Sequence, residues 1–156
     1  MKGISLVTHA PTAPGLRLLG IGPKLTPTNG LIKLQSFLNE NTFWARDRNK
    51  QQICKMLSHS AVVVSLWNDK RLIGFGRATS DRVFRAVLWD VVIASDHQGL
   101  GMGKLIIEAI LRNKKINSVE RIYLMTTNSS KFYTQLGFKI NHKQSLLILN
   151  KNQYQY

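Results

Sequence analysis

The stretch from Leu88 to Leu111, LWDVVIASDHQGLGMGKLIIEAIL, holds three kinds of local signal in succession. Its opening, Val87 to Ala94, is apolar and rich in β-branched residues, with Asp90 set into it, and predicts a largely buried strand. Its close, from Gly101, sets Leu105, Ile106, Ala109 and Ile110 along one side and Lys104, Glu108 and Arg112 along the other. That periodicity predicts a helix. Between them, Gln98-Gly-Leu-Gly-Met-Gly103 carries glycine at alternate positions. Glycine allows positive φ and close approach of a ligand to the backbone. A helix N-terminus adds free N–H groups and positive potential. Strand, glycine turn and helix in this order make an anion site, and phosphate is the expected anion.

Working outward, Ala61 to Trp67 and Leu72 to Ala78 read as a hairpin joined by Asn-Asp-Lys-Arg at 68 to 71. Ser80-Asp81 turns the chain again into the strand from Val83 to Ala94, so three strands form an antiparallel meander. After the helix, Arg121 to Thr126 is expected as a strand parallel to the one before it, because a crossover joins them. Asn128 or Ser129 caps a short helix over Lys131 to Leu136, which Gly137 ends. Phe138 to Ile140 and Leu146 to Leu149 are expected as a final strand pair. Upstream, Thr28 or Asn29 caps a helix buried through Leu31, Leu34, Phe37 and Leu38. A second helix covers Asp47 to Ser58, with Ile53, Met56 and Leu57 inward. Residues 1 to 30 hold all four prolines, with Leu16 to Ile21 as an edge-strand candidate, and the first 15 residues read as a loosely ordered lead-in.

The 156 residues suit one domain. The single cysteine, Cys54, excludes an internal disulfide and a cysteine-cluster metal site. Twenty-two Lys and Arg against eight acids give a net charge of +14, a surface that attracts anions without naming one. Apolar runs are too short for a membrane span, and Ile4 to Val7 is too short for a signal-peptide core.

Among phosphate loops, a Walker loop needs glycine where Gln98 stands and Ser or Thr where Leu105 stands. A dinucleotide fingerprint needs G-x-G-x-x-G opening a βαβ unit, whereas here the glycines are 99, 101 and 103 and a meander precedes them. Gln98, Gly101 and Gly103 fit the Q/R-x-x-G-x-G/A loop of acetyl-coenzyme A enzymes. On this loop, and on Asn128-Ser-Ser-Lys-Phe-Tyr-Thr-Gln-Leu-Gly-Phe138, the chain resembles the GCN5-related N-acetyltransferase (GNAT) family. Its nearest likeness there is to the small cyanobacterial and plastid members that acetylate arylalkylamines such as serotonin and tryptamine. Phe132, Tyr133, Gly137 and Phe138 match the family's F-Y-x-x-x-G-F run. Thr126 and Ser129 stand where the family usually has Asn and Ala, so no Asn role carries over. The motifs span about residues 61 to 141.

The resemblance implies an α/β (α+β) fold: a mixed, mostly antiparallel sheet of six to seven strands, about four helices and a splayed central parallel pair. It also implies an acetyl-coenzyme A cofactor held by Val92, Ile93, Gln98, Gly99, Leu100, Gly101, Met102, Gly103, Lys104, Asn128 and Phe132. Val92 or Ile93 would supply the backbone N–H for the oxyanion, and Tyr133 the proton for the leaving thiolate. Asp90, an acid in an apolar strand, is a candidate base and acceptor-binding residue, with a structural pairing to Arg77 or Arg85 as the other reading. Trp89 is expected opposite Asp90, in the core. His97 precedes the loop, where the family usually places a packing Tyr. Phe43 and Trp44 are candidates for stacking on an aromatic amine. The implied partner is a small-molecule amine, with a polyamine or protein lysine as alternatives and a homodimer as the usual assembly. The implied setting is cyanobacterial cytosol or plastid stroma. A non-catalytic nucleic-acid or regulatory binding protein is the rival from another class, although no helix-turn-helix or base-stacking motif is evident.

Overall fold

The computed structural model describes residues 3–9 and 29–150. Its sheet has five strands in sequence order: β1 (Ile4–Thr8), β2 (Val62–Asn68), β3 (Arg71–Ser80), β4 (Arg85–Ile93) and β5 (Arg121–Tyr123). The first four pair antiparallel, and β4 pairs β5 in parallel, aligning Arg85 with Arg121 and Val87 with Tyr123. The helices are α1 (Gly30–Asn41), α2 (Lys50–Ser58), α3 (Met102–Leu111) and α4 (Ser130–Gln135). The architecture is therefore the expected α+β one. Contacts divide the chain into two compact units, Met1–Met125 and Thr126–Tyr156. Among the described residues, no helix is long and apolar enough to cross a membrane.

Two glycines set how closely α3 lies on the sheet. A Cβ on Gly76 would stand 2.6 Å from Ile106 Cγ2, and one on Gly74 would stand 2.8 Å from Ile106 Cδ1. A larger residue at Gly76 would meet Ile106 next to its branch point and require the helix to shift, whereas at Gly74 the first atom met is the yielding end of the same side chain. The buried side of α3 is Met102, Ile106, Ile107 and Ile110. This corrects the expected stripe: Leu105 is 38% exposed and Ala109 is only half-buried, because the helix is rolled to drop Ile106 and Ile110 over the glycines. In α1, Leu34, Phe37 and Leu38 are buried as expected, whereas Leu31, expected with them, is only half-buried. Helix α2 begins at Lys50 rather than Asp47, because Asn49 and Gln52 form a reciprocal capping box at 2.8 and 2.9 Å.

Other boundaries differ for long-range reasons. β1 is hard to read as a strand because its partner lies some sixty residues on, Ile4 facing Asn68. The expected final strands, Phe138–Ile140 and Leu146–Leu149, are not strands, so the described residues hold five strands rather than six to seven. A strand exists only through a ladder partner, and neither run takes one; Leu147 is 89% exposed. The edge-strand candidate at Leu16 to Ile21 lies outside the described residues.

Candidate active site

The sequence interrupts β4 where the chemistry is expected. The β3–β4 register shifts between Phe75 and Arg77, which face Val92 and Trp89, so β4 has one extra residue across that gap. This is a β-bulge, and Asp90 sits in it with φ 51°. Asp tolerates the left-handed region better than the Val and Ile around it. The bulge resets the alternation of side chains. Trp89 shares a sheet face with Arg77, whose guanidinium carbon lies 5.8 Å from its ring centre, and Trp89 Nε1 donates to Thr79 Oγ1 at 2.8 Å. Arg77 also bonds Asp90, so Trp89 does not oppose Asp90 in the core as a regular strand would require. That expectation is corrected.

The Asp90 side chain is 4% exposed and surrounded by donors. Arg77 Nε donates to Oδ2 at 2.8 Å and Arg48 Nη1 donates to the same oxygen at 3.2 Å. Trp44 Nε1 donates to Oδ1 at 3.2 Å. Burial is the largest single influence on the carboxyl and pushes its pKa up; the charges and hydrogen bonds of Arg77 and then Arg48 together outweigh it, and the net shift is downward. Arg77 is one of the two structural partners that the sequence suggests. Arg48 is not among them, since nothing local marks a contact across 42 residues.

The parallel ladder ends at Val87 and Tyr123, while β4 runs on to Ile93 with β3 alone beside it. Ala94 N–H donates to Ile73 O at 2.9 Å. N–H directions alternate along a strand, so Val92 N–H also points to β3 and Ile93 N–H points to the open edge. Of the two expected oxyanion donors, Ile93 is the one available. Its carbonyl, facing the same edge, accepts from Gln98 Nε2 at 3.2 Å, which ties the loop to the strand end.

Beyond a short 3₁₀ turn, Ser95–His97, the glycine loop is bare. Gly99 and Gly101 have φ 75° and 79°, and a Cβ on either would meet nothing within 4 Å. The first bond into α3 is Leu105 N–H to Gly101 O at 3.3 Å, and α3 has no side-chain cap. No hydrogen bond within the protein takes the N–H groups of Gly99 through Lys104 among the described residues. This is the donor set and open space that a diphosphate needs. Leu100 is 62% exposed, Met102 is buried and anchors the helix start, and Gly103 lies in its first turn. Lys104 Nζ stands 3.8 Å from Glu108 on the exposed flank. Before the loop, Asp96 accepts from Arg71 at 2.6 and 3.2 Å and lies 2.9 Å from His97 Nδ1. The hydrogen bonds from Arg71 and then His97 hold its pKa down at about 2.

Phe43 and Trp44 lie in the α1–α2 loop, ring centres 5.0 Å apart and nearly perpendicular, 70% and 50% exposed. The structure thus brings Asp90 together with Trp44, as well as with both arginines. In the second unit, Ser129 occupies the cap position of α4 but makes no side-chain capping bond, and its hydroxyl lies 3.4 Å from Asn128 Oδ1. Tyr133 packs edge-on with Phe132 at 5.0 Å and Phe138 at 5.8 Å. Burial pushes its phenol pKa up, so the hydroxyl keeps its proton at neutral pH. Gly137, at φ 92°, ends the helix as expected.

A strand with one open edge, feeding a glycine loop of free amides at a helix start, is an arrangement suited to a ligand that carries a diphosphate. Residues 58–140 match the model of the acetyltransferase (GNAT) domain, and the chain belongs to the GNAT family of acetyl-coenzyme A-dependent acetyltransferases. It is 38% identical over 118 residues to the uncharacterized N-acetyltransferase ycf52 of Porphyra purpurea, covering 72% of this chain and 67% of that one. It is 35% identical over 108 residues to the histone acetyltransferase TAP1 of Glycine max, covering 62% and 46%. In fold it is similar to a protein assigned to the GNAT family from Xanthomonas campestris, with TM-score 0.71, 22% identity and coverage of 96% and 94%. The chain spans about two-thirds of the length of the ycf52 relatives it matches.

Proposed function

We propose that the protein transfers acetyl from acetyl-coenzyme A to the primary amine of a small arylalkylamine, by direct attack in a ternary complex, with both units serving one domain. The observation that carries this reading is the row of unpartnered amides from Gly99 to Lys104, directly after the open edge of β4. Those amides hold the diphosphate, with Lys104 beside them, and Asn128 and Phe132 are further contacts. The cofactor would supply an acetyl thioester, the acyl donor for the amine. Ile93 N–H donates to the carbonyl oxygen, where negative charge grows. Tyr133 would give its phenolic proton to the departing sulfur and regain one from solvent, while the amine, an ammonium at neutral pH, would lose one proton to solvent before it attacks and a second as the amide forms.

The expectation that Asp90 is the base does not fit its surroundings. A base acting near neutral pH needs a raised carboxyl pKa, and two arginines push this one the other way. In our reading Asp90 therefore stays ionised and holds its neighbours. The aromatic pair at Phe43 and Trp44 favours a flat acceptor. The net charge of +14 disfavours a basic histone tail, the acceptor suggested by the name of the soybean relative.

Calorimetric titration with acetyl-coenzyme A tests the cofactor site, and absence of binding overturns the reading. Turnover of 5-hydroxytryptamine, spermidine and a lysine peptide then identifies the acceptor; turnover of the peptide alone removes the small-amine preference. Tyr133→Phe is expected to lower kcat about 100-fold while cofactor affinity holds. Unchanged kcat would remove Tyr133 as the acid.

A further inference from the structure

The geometry around Asp90 points to a positioning role. We propose that Asp90 and Arg48 latch the α1–α2 loop, so that Trp44 stands as a fixed aromatic wall selecting amines carried on flat ring systems. This rests on the acetyltransferase reading and specifies its acceptor end.

Large exposed rings are expected on mobile loops or at sites of contact, and these belong to a loop that is tied down along its length. Thr42 Oγ1 donates to Leu38 O at 2.8 Å and accepts from Ala45 N–H at 3.2 Å. Arg46 Nε donates to Thr42 O at 2.8 Å, and Asp47 N–H donates to Asn39 Oδ1 at 3.0 Å. Gln35 Nε2 donates to Arg48 O at 2.9 Å. These bonds fix the loop's own shape and its seat on α1. Among the described residues, the hydrogen-bonded tie from the loop to the reacting strand is Asp90: one carboxylate oxygen takes the Trp44 indole N–H, and the other takes Arg48 from the same loop and Arg77 from β3. Arg77 roots the carboxylate in the sheet, and the bulge aims it at the loop.

Trp44 Nε1 is thus satisfied on the protein side while half of the residue remains open. Phe43 meets it edge-on, with ring centres 5.0 Å apart. A ring already held in one orientation loses little entropy when a second ring stacks on it. The wall stands within reach of a carboxylate three residues from Ile93, where the thioester carbonyl is to be polarised. A protonated aliphatic amine gains a cation–π contact from the ring face, whereas a flat aromatic amine adds stacking over the whole ring to it.

The test uses the full chain with Trp44→Phe, which keeps a flat ring and removes the N–H, and Arg48→Gln, which leaves the rings untouched. Hydrogen–deuterium exchange over residues 42–49 is expected to quicken in both. The ratio of kcat/KM for tryptamine over spermidine is expected to fall about tenfold in Trp44→Phe, with the loss in the tryptamine KM rather than in kcat. Unchanged exchange in both variants overturns the latch. Faster exchange with an unchanged ratio, or an equal loss for both amines, overturns the selectivity. Should the wild type turn over neither amine, the proposed function fails by itself, and the exchange result still decides the latch.

Discussion

Two places in the chain hold their backbone at positive φ within a dozen residues of each other, and they treat polar groups in opposite ways. At the bulge, Asp90 has φ 51° and brings a buried carboxylate to three donors. At the loop, Gly99 and Gly101 have φ 75° and 79°, bring no side chain, and leave amides without a partner. The first arrangement completes itself inside the protein, because a buried charge without partners is destabilising by several kcal/mol. The second is left incomplete and suits an anion from outside. The identity of the residue at the strained position tells which is intended: Asp where the side chain does the bonding, Gly where the main chain must stay bare.

The contrast predicts that damage at the bulge shows as lost stability and damage at the loop as lost cofactor affinity. The largest effect is expected from Asp90→Ala, which strands Arg77 and Arg48 at 12% and 29% side-chain exposure. Urea denaturation is expected to show a loss of about 3–5 kcal/mol. Asp90→Asn is expected to lose clearly less, since Asn tolerates positive φ and its amide oxygen still accepts. The pH dependence has a definite sign. The folded pKa of Asp90 is depressed, so its contribution is present above the unfolded value of about 3.9 and is lost as pH falls through the lower folded value. The stability gap between wild type and Asp90→Ala is therefore expected to narrow as acid is added below about pH 4. A gap independent of pH would show that strain, rather than ion pairing, makes the bulge what it is.

Gly101→Ala comes next. With nothing within 4 Å of the added Cβ, the protein itself does not clash, and the loss is the left-handed conformation of a residue with a side chain, about 1–2 kcal/mol. Calorimetry is expected to show acetyl-coenzyme A binding weakened by more than this stability loss implies, because the Cβ enters the space kept for the ligand. Equal losses in both measurements would mean that the loop serves only chain geometry.

These two regions also mark how far the sequence can be read. The loop is legible because its signal is local: alternate glycines between a β-branched run and a helical stripe. The hairpin and the crossover to β5 are legible for the same reason. The bulge is not. An unbroken alternation puts Trp89 and Asp90 on opposite faces, and one added residue undoes that inference, although an Asp inside an apolar strand is itself a hint of positive φ. Arg48 carries no hint, because its partner is chosen by the way α1 and α2 fold back over the sheet. The roll of α3 is hidden in Gly74 and Gly76, which read as ordinary strand residues until Ile106 is seen above them. The run from Leu146 to Leu149 shows the reverse failure, an apolar signal strong enough to suggest a strand and no ladder partner to make one.

The smallest expected effect separates the two halves of the loop's own construction. Gln98 is the motif residue with a side chain to offer, and in the structure that side chain bonds Ile93 O at 3.2 Å rather than facing an open site. It then serves to tether the loop to the strand end, and in our reading it leaves the main-chain amides as the loop's diphosphate ligands. Gln98→Met keeps the length and removes the donor. At an exposed position the lost hydrogen bond should lower stability by no more than about 1 kcal/mol, and cofactor affinity should fall only about threefold as the loop loosens. A loss of an order of magnitude or more in affinity, with stability unchanged, would mean that the Gln98 amide turns to the phosphates when they bind. The loop would then use a side chain after all, and the division between a bulge that bonds by side chain and a turn that bonds by main chain would no longer hold.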